Sequence, residues 1–216
     1  MASSKLTDLT VSAFTDRLAG KYAVPGGGGA AALTGANGIA LVLMAGQFTL
    51  GKKKYAEFED DIRRMISDGN WMAHGLLSLV DEDAAAFEPL SKAYAIPKED
   101  PTREAVLEQA TKDAIAAPSK MLSILSDAVN LTEEMAEKCS VLMISDVGCG
   151  ADLLAAAMKA AAKNVFINTK SLKDRAFAEE TESQVEAVLA EFVPRAEAVG
   201  QAVQERIQGR PSGDGG

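Results

Sequence analysis

An all-α fold is predicted, a single-domain bundle of long helices around one buried, glycine-rich central helix, and three observations carry it. Residues 30–50 are an uncharged Ala/Leu/Gly run long enough for several helical turns and without a polar face. Aromatics make up only 5% of the 216 residues, and no run of alternating β-branched residues reads as a strand. With 47% hydrophobic residues the chain has apolar sequence for one substantial core, so one helical domain is expected over 1–208.

In chain order, residues 6–19 place Leu6, Leu9, Val11, Phe14 and Leu18 at helical spacing, with Thr7 or Thr10 as a cap, and predict a short amphipathic helix. Pro25, Gly26, Gly27, Gly28 and Gly29 follow. Such a run turns sharply and exposes backbone N–H groups, and a helix that starts there is an anion site. The helix over 30–50 must be buried on nearly all sides, and Gly35, Gly38 and Gly46 admit neighbouring backbones closely. Lys52, Lys53 and Lys54 stand at its far end. Residues 57–94 predict one long helix, or two broken near Gly69, with a kink at Pro89 and a stop before Ile96-Pro97. Residues 101–130 are helical from Pro101, with Pro118 as a kink or break. Leu131-Thr132-Glu133-Glu134 reads as the opening of another helix, Thr132 capping and acids in the first turn, running through Lys163 with an irregularity at 148–150. Residues 164–169 read as a connector, and Ser171 or Asp174 starts a last helix that reaches about Gln208, kinked at Pro194. From Gly209 a Gly/Pro/Ser tail is expected to be disordered.

The formal charge of −9 and pI of 4.8 exclude a general binder of nucleic acid or anionic membranes, which needs a broad positive field. Two cysteines, Cys139 and Cys149, and the lone His74 do not make a zinc site. Residues 1–20 contain no secretory apolar core, so a reduced, cytoplasmic setting is expected. The run over 30–50 is long enough to span a membrane, but Thr34, Asn37, Gln47, Thr49 and three glycines weigh against it.

Asp83 is the most informative single residue. The spacing of Leu76, Val80, Asp83, Phe87 and Leu90 sets it inside an apolar stripe, while Asp81 and Glu82 point elsewhere. A buried carboxyl is pushed towards neutrality and can act as a general acid or base; the alternative is a structural carboxylate bound to a buried lysine or a helix end. Asp146 shares a helix face with Met143, Gly150 and Leu153, with a structural hydrogen bond as the default. Asn164 and Asn168, four apart, read first as turn or cap residues. The lysine triplet is either a local anion site or a helix C-terminus answering its dipole. The glycine run is neither a phosphate-binding P-loop, lacking Gly-Lys-Ser/Thr, nor a dinucleotide fingerprint, lacking a preceding strand. His74 has no Ser or Cys partner at a spacing that would make a nucleophilic triad.

Taken together, VPGGGGAAALTGANG (24–38), FTLGKKKY (48–55), LVDEDAAAF with AYAIPK downstream (79–98), SDVGCGADLLAAA (145–157) and KNVFINTKSLKDRAFAEE (163–180) resemble the cyclodeaminase/cyclohydrolase family of folate enzymes. The likeness covers nearly the whole chain. It implies an all-helical homodimer that binds tetrahydrofolate in a cleft at the subunit interface. It places Asp83 on the aspartate of the family's Asp-Ala-x-Ala-Phe motif, and sets Pro25, Gly26, Gly27, Gly28, Lys52, Lys53, Lys54, Asp146, Asn164 and Asn168 in or near that cleft. Departures are Gly29 where many members have serine, Gly46-Gln47-Phe48 in place of an Asn-Leu neighbourhood, and Cys149 among small aliphatics; they bear on substrate preference more than on fold.

The resemblance implies a one-carbon enzyme working between N5 and N10 of tetrahydrofolate, with no metal or redox cofactor. Methenyltetrahydrofolate cyclohydrolase is the preferred activity, because no formiminotransferase domain accompanies the chain and DRAFAEE looks like the bacterial cyclohydrolases. Formiminotetrahydrofolate cyclodeaminase is the alternative, and a non-catalytic helical dimer binding an anionic ligand a third. The lysines are assigned to the glutamate tail of the folate, polyglutamylated or not, whose carboxylates need cations in an acidic protein.

Overall fold

Thr10 opens the first α-helix by accepting a hydrogen bond from the Ala13 N–H at 3.2 Å, and α1 runs Val11–Ala19. The computed structural model describes residues 5–209; most of the tail expected from Gly209 lies outside the described residues, as do residues 1–4. The helix expected over 6–19 is divided, with a 3-10 turn at Leu6–Asp8 before α1. The cause is Asp81, whose carboxylate accepts the Leu6 N–H at 2.6 Å and the Thr7 hydroxyl at 2.8 Å and so uses Thr7 as an anchor rather than a cap.

The central helix is α2, Gly27–Gln47, starting three residues earlier than the apolar run because the glycines themselves form its first turn. It is followed by α3 (Glu59–Tyr94), α4 (Arg103–Lys138), α5 (Ile144–Thr169) and α6 (Arg175–Ile207), with no strand among the described residues. α3 does not break at Gly69, since that glycine leaves the room in which Leu43 of α2 packs. Pro89, Pro118 and Pro194 all lie inside continuous helices.

The predicted helix start at Leu131-Thr132 is overturned. Thr132 is buried in mid-helix, and its hydroxyl donates to the Ala128 carbonyl at 2.7 Å. Leu125, Ala128, Val129, Leu131 and Met135 continue one buried stripe across the expected boundary, so tertiary burial overrides the capping signal. The real break falls at residues 139–143, where the backbone is taken by side chains of the loop after α2. The Ser140 N–H donates to Thr49 Oγ1 at 2.8 Å and the Val141 N–H to the Tyr55 hydroxyl at 3.1 Å. α5 shows no irregularity at 148–150, and residues 164–169 are its last turns rather than a connector.

α2 lies between α3 and α5, with α4 behind it and α6 packed on α5 and α4. α2 and α5 run antiparallel, Gly27 beside Asn164 and Gly38 beside Gly150. At the crossing both sides are glycine: a Cβ on Gly150 would sit 2.7 Å from the Gly38 carbonyl oxygen, and one on Gly38 would sit 3.0 Å from that of Gly150. Two of the helices, Gly27–Gln47 and the segment Val141–Thr169, are long and apolar enough to cross a membrane on length and composition, and over half of the apolar window of the first is buried against other helices.

Candidate active site

Helix α2 begins without a side-chain cap, so its first N–H groups are left to other partners. Asp83, two-thirds of the way along α3, supplies one. Its carboxylate lies over Gly28 so closely that a Cβ there would overlap it, and the Gly29 N–H is directed at it. Two effects then oppose each other. The helix terminus favours the charged form, but burial is the larger cause and pushes the Asp83 carboxyl above the usual carboxylate range. No cation pairs with it among the described residues. The sequence left Asp83 open as a catalytic group or a carboxylate bound to a helix end; the structure puts it on a helix end and keeps it easy to protonate.

The stripe that located Asp83 holds in part. Leu76, Val80 and Leu90 are buried, whereas Phe87 is 37% exposed and forms the rim of a cavity of about 190 Å³. Gly26, Gly27, Gly28, Asp83, Asn164 and Asn168 line that cavity together. Pro25 is buried against Gly29 just behind the turn. The asparagines reach it because they sit one turn apart on α5. Each donates its side-chain N–H₂ one turn back along the helix, Asn164 to the Ala160 carbonyl at 2.9 Å and Asn168 to the Asn164 carbonyl at 3.0 Å. Each Oδ1 is thereby left as an acceptor, and that of Asn164 faces Gly27. Sequence reasoning missed the apolar wall: Ala23, Val24, Phe87, Leu90, Ala114 and Ile167. Phe87 and Leu90 belonged to the recognised stripe, and Ile167, 65% exposed between the two asparagines, was the available signal for the rest.

The remaining candidates occupy the opposite end of the molecule. Lys52 donates to Ser140 Oγ at 3.0 Å, Lys54 lies beside the Tyr55 ring, and Lys53 and Lys54 are exposed. Asp146 is half-buried in the first turn of α5, next to the same junction. α2 has 21 residues, so about 30 Å of helix separates this group from Asp83 within one chain. One chain therefore presents two half-sets: a carboxylate, two amides and a helix N-terminus at one end, and three lysines with Asp146 at the other.

Comparison with known proteins decides the family. Residues 10–187 match the family described as formiminotransferase-cyclodeaminase. The chain belongs to that family. A methenyltetrahydrofolate cyclohydrolase from Methylorubrum extorquens is 37% identical over 202 residues, which span 92% of this chain and 97% of that one. The formimidoyltransferase-cyclodeaminase of Rattus norvegicus is 32% identical over 190 residues, 86% of this chain but 35% of the rat protein. Among solved structures, the formiminotetrahydrofolate cyclodeaminase of Thermotoga maritima superposes with a TM-score of 0.81 at 28% identity, covering 93% of this chain and all of that one. The all-helical fold expected from the sequence is thus the cyclodeaminase fold.

Proposed function

We propose that this protein is a methenyltetrahydrofolate cyclohydrolase, hydrolysing 5,10-methenyltetrahydrofolate to 10-formyltetrahydrofolate. The observation that carries the reading is the half-buried, easily protonated Asp83 set over the N-terminus of α2; the 37% likeness over nearly the full length of both chains selects the reaction. The methenyl carbon is cationic, so an anionic Asp83 attracts it. Water adds to that carbon as one of its protons passes to Asp83, giving a neutral carbinolamine. The C–N5 bond then breaks, Asp83 returns the proton to N5, the carbinol oxygen forms the formyl C=O, and its proton leaves to solvent. One group serves as base and then acid, and burial, by raising its pKa above the usual carboxylate range, favours the return of the proton. In this reading the N–H groups of Gly27 and Gly28, which have no side-chain cap, receive the developing oxygen, and the Oδ1 atoms of the cavity-lining Asn164 and Asn168 accept from pterin N–H groups. The reaction as written uses these residues and water, with no metal or redox cofactor.

The same reading makes the protein a homodimer. On α2, Ala30, Leu33, Thr34, Asn37, Ala40, Leu41 and Met44 form a stripe that its own subunit leaves open, continued by Phe48 at 59% exposure. A two-fold axis across the middle of that stripe pairs α2 antiparallel with its copy, and sets the lysine end of one chain beside the Asp83 end of the other. The two half-sets then make one cleft, with Lys52, Lys53, Lys54 and Asp146 of the second chain beside the folate and the lysines towards its glutamate tail. Cys139 and Cys149 are free thiols, in keeping with a cytoplasmic enzyme.

A second reading has a specific support, the structural likeness to the Thermotoga cyclodeaminase over that protein's whole length. Both reactions pass through a tetrahedral carbon between N5 and N10, which carries a hydroxyl from added water in the cyclohydrolase and an amino group, expelled as ammonia, in the cyclodeaminase. Purified protein is incubated with methenyltetrahydrofolate and, separately, with formiminotetrahydrofolate. Loss of methenyl absorbance above the uncatalysed rate, without ammonia release from the second substrate, is expected. Ammonia release alone would establish the cyclodeaminase, and inertness towards both would leave a binding protein.

A further inference from the structure

The cavity at Asp83, about 190 Å³, is smaller than the ~300 Å³ at which ligand pockets usually begin. A folate bound there would extend beyond it with its aminobenzoyl-glutamate arm. A second groove of about 570 Å³ adjoins it and shares Ala23, Val24 and Phe87 as a common wall. On α3, Asp83 and Phe87 line the cavity, while Ala84, Glu88 and Ser91, one position or so around the helix, line the groove. The groove therefore lies directly beside any molecule held at Asp83.

We infer that this groove takes the aminobenzoyl-glutamate arm of the substrate and that Arg17 binds its first glutamate carboxylate. The inference rests on the folate reading above. Arg17 is half-buried at the C-terminal end of α1 and lines the groove. Its Nε donates to the Val24 carbonyl at 2.9 Å, fixing the guanidinium at the wall between the two spaces. Tyr22 lies with its ring 5.5 Å from the guanidinium carbon, folded back where Gly20 has no Cβ to obstruct it. No carboxylate pairs with Arg17 among the described residues. The other charges of the groove are already engaged: Asp81 accepts from Leu6 and Thr7, and Glu88 is paired with Lys92 at 2.7 Å. Lys5 adds a second positive charge at the same mouth. A planar guanidinium anchored through one nitrogen, with its two terminal nitrogens unpaired among the described residues, is preorganised for a carboxylate.

Two substrates separate this from a structural role, methenyltetrahydrofolate and methenyltetrahydropteroate, which lacks the glutamate. Arg17→Gln is expected to lower kcat/KM for methenyltetrahydrofolate about 10- to 100-fold, the loss of one charge-assisted contact. The fall should lie mainly in KM, with kcat/KM for the pteroate substrate nearly unchanged. Arg17→Lys should recover part of the loss. If Arg17 only holds the Val24 loop, both substrates fall together, and equal loss overturns the proposal. An Arg17→Gln enzyme that still prefers the folate over the pteroate as strongly as wild type also overturns it. Wild-type protein inert towards both substrates would instead refute the cyclohydrolase reading on which the proposal rests.

Discussion

Asp83 is held by two forces of opposite sign, and its variants separate them. Asp83→Asn keeps the shape and an acceptor for the Gly29 N–H while removing the buried charge. Turnover should fall by about two to four orders of magnitude, the usual range for a general acid or base. Stability should move the other way. A carboxyl whose folded pKa is raised binds its proton more tightly in the folded state, so its contribution to stability falls as pH rises from the ordinary carboxylate value through the raised one. At neutral pH Asp83→Asn should therefore melt no lower than wild type, and above that window somewhat higher. A marked drop in melting temperature with activity retained would make Asp83 a structural carboxylate. Activity should rise with pH through the same raised pKa, because the base form starts the reaction; a pH profile flat through that region would remove Asp83 from the first step. Glu82→Gln is the internal control. Glu82 is exposed on the next position of α3, paired with Lys120 at 3.1 Å, and its loss should change neither rate nor melting noticeably.

At the scale of the elements, α2 and α5 touch backbone to backbone, and that contact sets where both ends of the site lie. Gly150→Ala would press a methyl group onto the Gly38 carbonyl and Val42 at 2.7 Å. Overpacking at such a crossing costs about 1–3 kcal/mol, read as a fall in denaturation midpoint with far-UV dichroism unchanged; an unaltered midpoint would show that the helices part without cost. Gly28→Ala tests the other end. Its Cβ enters the space of the Asp83 carboxylate, so activity should be lost with little change in melting. Equal loss of stability would show that the displaced carboxylate was supporting α2. The folding pattern also explains where reading helices in order failed. Thr132-Glu133-Glu134 carries a good capping signal, yet α4 continues because Leu131 and Met135 are buried on the same stripe as Leu125 and Ala128. The chain breaks instead at residues 139–143, whose N–H groups are claimed by Thr49 and Tyr55, some 90 residues away in sequence. No local pattern announces such a partner.

At the scale of the whole molecule, the proposed homodimer is what would bring the two half-sets of candidate residues together. Ala40→Glu, a charge in the middle of the open stripe of α2, should give a folded monomer by sedimentation with activity lost. Full activity from a monomer would show that one chain suffices. Mixed dimers give a sharper outcome. Asp83→Asn and Lys53→Ala/Lys54→Ala chains, the latter leaving the tie from Lys52 to Ser140 in place, should regain turnover of polyglutamylated folate on mixing, because one cleft of each mixed dimer is intact. No recovery would place both sets in separate sites. The lysine variant should also weaken polyglutamylated folate more than monoglutamate, an advantage that added salt erodes.

What the sequence determined by itself was whatever depends on local periodicity and on short motifs. The all-helical class follows from the 30–50 run and the absence of alternating strands, and the partial burial of Asp83 follows from its place on the Leu76–Val80–Leu90 stripe, since a helix repeats every three to four residues regardless of its neighbours. Asn164 and Asn168 were legible as a pair for the same reason, though not as helical, because asparagine favours turns until burial of Val165 and Thr169 holds the helix to its end. Only tertiary structure could decide that Gly28 faces Asp83, that Arg17 is tied to the Val24 carbonyl in the adjoining groove, and that the lysines lie about 30 Å away along α2. Those relations join residues far apart in the chain through the antiparallel packing of helices, and a side chain's own neighbours in sequence do not encode which helix will lie across from it.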